Sequence, residues 1–96
     1  MKTLKTITIQ IGNTDDKLKQ KEWASFVMNM HNAILRNCAA VHFFGGSTTW
    51  EQWQNVAWVV ECNLDSVAVL KIAVENTRRA YFQDSAAWTE GETIFI

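Results

Sequence analysis

The side-chain period along this chain switches from two to 3.6 and back, twice over, within 96 residues. A strand shows every second residue to one face, and a helix every third or fourth, so this pattern restricts the chain to a mixed fold of strands and helices. From Thr3 to Ile11, Ile7, Ile9 and Ile11 alternate with Thr6, Thr8 and Gln10, which predicts a strand with one buried face. Gly12 to Asp16 reads as a turn, with Asp15 and Asp16 placed to cap a following helix. That helix starts at Lys17 or Gln20 and runs to Asn37. It carries Trp23, Phe26, Val27, Met30 and Ile34 on one stripe, and Glu22, Ser25, Asn29, Asn32 and Arg36 opposite.

The pattern then repeats. Ala39 to Phe44 is a short apolar strand ended by Gly45 and Gly46, and a polar connection follows to Gln54. Asn55 to Cys62 alternates again, with Val56, Trp58, Val60 and Cys62 pointing one way. Asn63 stands where an N-cap is expected. The second helix continues to about Phe82, with Val67, Leu70, Val74 and Tyr81 inward. Ala86 to Ile96 forms a last strand region, which Gly91 either splits into a hairpin or bulges. The order β-α-β-β-α-β predicts an α+β, ferredoxin-like two-layer sandwich. Two helices would cover one face of an antiparallel sheet, with or without a short fifth strand, in one domain spanning residues 1–96.

Composition narrows the partners. With 48% apolar and 20% charged residues and a net charge of −1, the chain is not disordered. No apolar run reaches the roughly 18 residues of a membrane span. The first 48 residues carry a net +3 and the last 48 a net −4, without the basic stripe of a duplex nucleic-acid binder. No secretion signal opens the sequence, so a cytoplasmic location is expected. Cys38 and Cys62 lie 24 residues apart with no CxxC and no histidine pair, which predicts two unpaired thiols and no zinc site. Nothing in the sequence calls for a cofactor or a metal.

A two-layer fold leaves one sheet face uncovered. Its outward positions are read as Thr6, Thr8 and Gln10, then Ala40, His42 and Phe44, then Ala57, Val59 and Glu61. A face this mixed is suited to a second copy of the chain or to a small ligand, and also to plain solvation. Of the five tryptophans, Trp23 and Trp58 fall on core stripes, and Trp88 suits either core or surface. Trp50 and Trp53 stand apart, in the polar connection Gly46 to Gln54 beside the amides Gln52, Gln54 and Asn55. Indoles flanked by amides in a loop suit a protein epitope or a planar ligand such as a base, and they also suit folding back onto the sheet edge. The candidate binding residues are therefore Trp50, Gln52, Trp53, Gln54, His42 and Phe44.

Catalytic motifs are missing: there is no nucleophile elbow, phosphate loop, dinucleotide fingerprint or HExxH. Gly45-Gly46-Ser47-Thr48-Thr49 lacks the lysine of a phosphate loop and lies between strands. His31 sits at the edge of the first helix's apolar stripe, as a boundary residue. His42 is the better candidate for proton transfer or pH sensing.

In length and topology the chain resembles the dimeric α+β barrel proteins, among them the antibiotic-biosynthesis-type monooxygenases. That resemblance implies sheet-to-sheet dimers with a ligand pocket between sheet and helices. No catalytic Asn, Trp or His set transfers residue by residue. The segments I-G-N-T-D-D-K-L and Q-D-S-A-A-W-T-E-G resemble small proteins carried by phages and other mobile elements. The expected function is a small, homodimeric, non-catalytic binding protein or inhibitor. It would act stoichiometrically on a protein partner or a small, nucleotide-like ligand, for example in phage counter-defence. The alternative is a small cofactor-independent enzyme of the barrel type, with His42 and Trp88 near its pocket.

Overall fold

The structure, a computed structural model, describes residues 4–13, 18–47 and 54–96. The elements are β1 (Leu4–Gly12), α1 (Gln20–Asn37), β2 (Ala40–Gly46), β3 (Asn55–Asn63), α2 (Val67–Ala80) and β4 (Ala87–Gly91). A 3-10 turn at Leu64–Ser66 leads into α2. The strands form one antiparallel sheet in the order β2-β3-β1-β4.

The alternation in β1 and β3 is what builds the core. In the register, Ile7 pairs with Val60, Ile9 with Trp58 and Ile11 with Val56, all on the helix-covered face. Trp23, Phe26, Met30 and Ile34 of α1 and Leu70 and Val74 of α2 complete the cluster. Full burial of each large apolar side chain is worth about 1.5–3 kcal/mol. The helices also meet directly, where the Tyr81 hydroxyl lies 2.6 Å from Ser25 Oγ and accepts from Asn29 Nδ2.

At the second helix start capping departs from the expected pattern, and at the first the expected caps are not among the described residues. Asp15 and Asp16 lie outside the described residues, as does Lys17, and α1 begins at Gln20. The described approach to it is held by Asn13, which is fully buried. Its Oδ1 accepts from Leu18 N at 3.0 Å, and its Nδ2 donates to Leu18 O at 2.9 Å. Glu22 then reaches back to accept from Lys19 N at 3.2 Å, satisfying a free donor of the first turn. Asn63 precedes the 3-10 turn, but its side chain forms no cap, and its buried Oδ1 has no partner among the described residues.

Two differences from strict alternation shape the uncovered face. The β2–β3 register slips between Val41 and Phe43, so Phe43 pairs with Val59 and Phe44 with Trp58. This bulge sends Phe44 to the helix side and brings Phe43 out to the open face, reversing the expected placement of Phe44. The second difference follows β4. Strand pairing stops at Gly91, and residues 92–96 form neither a hairpin nor a bulged continuation; they cross the open face of the sheet. β2 itself runs on through both glycines. A Cβ at Gly46 would stand 2.0 Å from Asn55 O, so only glycine lets the two strands close there.

Candidate functional site

The open face is a grid of outward side chains in three rows across the strands. The first row is Gly91, Thr6, Glu61 and Ala40; the second is Thr89, Thr8, Val59 and Phe43; the third is Ala87, Gln10, Ala57 and Gly45. Polar chemistry concentrates at the first row. Glu61 Oε1 accepts from Thr6 Oγ1 at 2.9 Å and from His42 Nε2 at 3.1 Å. The Thr6 hydroxyl above all, with His42 and Thr93 assisting, holds the Glu61 carboxylate below its usual range, while partial burial pulls the other way. A carboxylate accepts only, so His42 donates through Nε2 and keeps Nδ1 as an acceptor when neutral.

Residues 92–96 form a strap over this row. Thr93 Oγ1 hydrogen-bonds Thr6 Oγ1, and the Phe95 ring meets His42 edge-on, with centroids 6.3 Å apart. The path runs from β4 over β1 and β3 to β2. Three strand spacings come to about 14 Å, which four extended residues just span. Between the strap, Leu4 and the His42–Glu61 pair lies an open recess of about 440 Å³. Around it the surface is apolar: Phe43 is 52% exposed, Leu4 48%, Ile94 75% and Phe95 83%.

Of the residues singled out in the sequence, His42 is on this face. Trp50, Gln52 and Trp53 lie outside the described residues. Gln54 is 1% exposed, and its amide exchanges two hydrogen bonds with Gln20, at 3.0 and 2.9 Å, so it anchors the connection to α1 from within. Phe44 stacks on both His31 and Trp58, with centroids at 4.3 and 5.3 Å. Trp58 Nε1 donates to His31 Nδ1 at 3.0 Å, so His31 is the satisfied boundary residue the stripe predicts. Trp88 is half-buried under Lys71, whose Nζ stands 5.6 Å from the ring centroid. Trp88 Nε1 is buried without a partner among the described residues.

Sequence reasoning missed Phe43, Thr93 and Phe95. The run Val41-His42-Phe43-Phe44 has no alternation to assign its faces, and nothing local marks 92–96 as a crossing segment. Among the described residues there is no cluster of three metal-ligating groups and no helix long and apolar enough to cross a membrane. Cys38 and Cys62 are free thiols, and burial pushes both above the usual thiol range.

Solved structures with the same architecture exist. A dimeric ferredoxin-like protein of unknown function from Thermobifida fusca superposes with a TM-score of 0.63 at 8% identity, covering 94% of this chain and 92% of that one. The fold is ferredoxin-like. A dimeric protein of unknown function with a ferredoxin-like fold, from Bacteroides fragilis, gives a TM-score of 0.55 at 19% identity, over 94% of this chain and 95% of its own. A dimeric ferredoxin-like protein from an uncultured marine organism gives 0.51 at 9% identity, over 98% and 92%. No protein-family model matches the sequence, and no curated protein matches it either. At these identities the likeness concerns the fold, while the three neighbours are themselves described as dimeric.

Proposed function

We propose that this protein is a homodimer built face to face through its open sheet, and that it acts by binding. The observation that carries this reading is the exposed apolar surface on that face, from Leu4 and Phe43 to Ile94 and Phe95. Four large apolar side chains, each about half exposed or more on one face, are more than a small monomer usually leaves in water. Four strands each about 4.8 Å wide and a nine-residue strand give the face about 20 by 30 Å, or roughly 600 Å², at the lower end of the roughly 600–1,000 Å² per partner that stable interfaces bury. The dimeric state of the fold neighbours supports the same reading. Light scattering at micromolar concentration is expected to give about 22 kDa, twice the 11.0 kDa chain. A clean 11.0 kDa species would overturn it.

The bound partner, on this reading, meets the connection that leaves the sheet at Ser47 and returns at Gln54. Trp50 and Trp53 are its proposed anchors, with Gln52 beside them, and His42 marks a second contact on the face. Support for the connection comes from composition: two indoles in a segment otherwise of Gly, Ser, Thr, Glu and Gln. Trp50→Ala and Trp53→Ala are expected to leave the melting temperature nearly unchanged; a loss of about 3–5 kcal/mol would make them core residues instead. The phage-type resemblance favours a host defence component, or its nucleotide signal, as the ligand.

One pair favours a second reading. Glu61 orients His42 so that Nδ1 is left as a base, the arrangement a cofactor-independent enzyme would use. That reading requires the recess beside His42 to close around a ligand in the dimer. Native mass spectrometry of the purified protein, looking for a small molecule lost in His42→Ala, separates it from a simple interface.

A further inference from the structure

We infer that the strap, residues 92–96, is the element that joins two copies of this chain, and that it docks in the third row of the partner's open face. The inference rests on the homodimer reading above and specifies its geometry.

The strap is an extended Thr-Ile-Phe-Ile run, and no backbone hydrogen bond joins it to the described residues. It is tied to its own protomer mainly by Thr93 on Thr6 and by the edge of Phe95 on His42. Ile94 and Phe95 are left 75% and 83% exposed. Extended, β-branched segments with unpaired main chain and apolar side chains are what other chains bind.

The receiving surface is at the other end of the same face. The strap makes a ridge over the first row, whereas in the third row Ala57 and Gly45 stand side by side on β3 and β2 and leave a shallow trough, with Gln10 on its β1 side and Ala87 beyond. Ridge and trough are about 14 Å apart, four residues along a strand. A twofold axis through the second row, near Val59, places each ridge in the other copy's trough. Each strap then lies over its own first row and the partner's third. This arrangement covers the exposed Ile94 and closes on itself, as an isologous contact must. It also sets Ile94 against Ala57 of the other copy, a contact that Ile94 cannot make with its own Ala57.

The test uses the full chain. Ile94→Asp is expected to weaken dimerisation at least tenfold in sedimentation analysis, with the far-UV circular dichroism spectrum unchanged. A size-tagged Ile94→Cys variant mixed with an untagged Ala57→Cys variant is expected to form a mixed disulfide under mild oxidation. Wild type, with its buried Cys62 and half-buried Cys38, serves as the control. A dimer that survives Ile94→Asp and forms no mixed disulfide overturns the strap's role and leaves the homodimer standing. Dissociation by Ile94→Asp without the mixed disulfide overturns the trough as the docking place. A wild-type monomer overturns the homodimer and the strap together.

Discussion

His31 decides more than its position suggests. Trp58 is fully buried, and an indole can only donate, so its Nε1 needs an acceptor inside the protein. His31 Nδ1 supplies it at 3.0 Å, which fixes the neutral tautomer with the proton on Nε2. His31→Ala leaves that donor unpaired and is expected to cost about 1–3 kcal/mol in urea denaturation. In the Trp58→Phe background, where the donor is gone, the same change is expected to cost much less. Equal losses in both backgrounds would show that packing alone keeps His31. Glu61 contributes a pH response. Its carboxylate is held below the usual range when folded, so its contribution to stability is present above the unfolded value near 4.3. That contribution is lost as pH falls through the folded value. Glu61→Gln is expected to flatten the acid limb of a melting-temperature profile below about pH 5, the region where the unfolded carboxylate takes up its proton. An unchanged limb would place the acid sensitivity elsewhere.

At the scale of elements, the ends and irregularities carry the information. α2 closes with Phe82 at a φ of 56°, where Phe82 N donates to Arg79 O at 3.0 Å and Gln83 N to Arg78 O at 3.1 Å. This is a left-handed cap of the kind glycine usually fills. Phe82 is 87% exposed, so little packing compensates for the strain. Phe82→Gly is expected to stabilise by about 0.5–1 kcal/mol, after the greater freedom glycine has in the unfolded chain. That corresponds to a gain of roughly 2–8 °C in melting temperature. A drop would mean that the exposed ring is covered in solution. The bulge in β2 has the opposite character: it costs one ladder position and re-aims two phenylalanines, Phe44 onto Trp58 and Phe43 onto the open face.

For the whole molecule, the proposed dimer makes stability depend on concentration. If folding and association are coupled, each tenfold rise in protein concentration adds about 1.4 kcal/mol per dimer, raising the melting temperature by roughly 3–5 °C. A melting temperature that is flat between 1 and 100 µM would argue for an independent monomer, where the apolar face stays in water. The strap makes the face asymmetric along the strands, with carboxylate, imidazole and hydroxyls at one end and Ala87, Gln10, Ala57 and Gly45 at the other. Sheet packing between two flat, uniform faces would leave the register of the copies open.

Local periodicity was enough to read the layers. Ile7, Ile9 and Ile11 against Val56, Trp58, Val60 and Cys62, with the stripe from Trp23 to Ile34, place the core without any knowledge of contacts, because burial of one face imposes the period. The element order followed from the same signal. What folding alone decided are contacts between residues far apart in the chain. Gln54 reads as a loop amide until Gln20, 34 positions away, buries and pairs it. Phe44 reads as outward until the slip against Val59 turns it inward. Thr93 and Phe95 read as strand until Thr6 and His42, across the sheet, draw them over the face. Periodicity reports which side of an element is dry. Which partner lies on that side depends on the register and on long-range closure, neither of which leaves a local pattern.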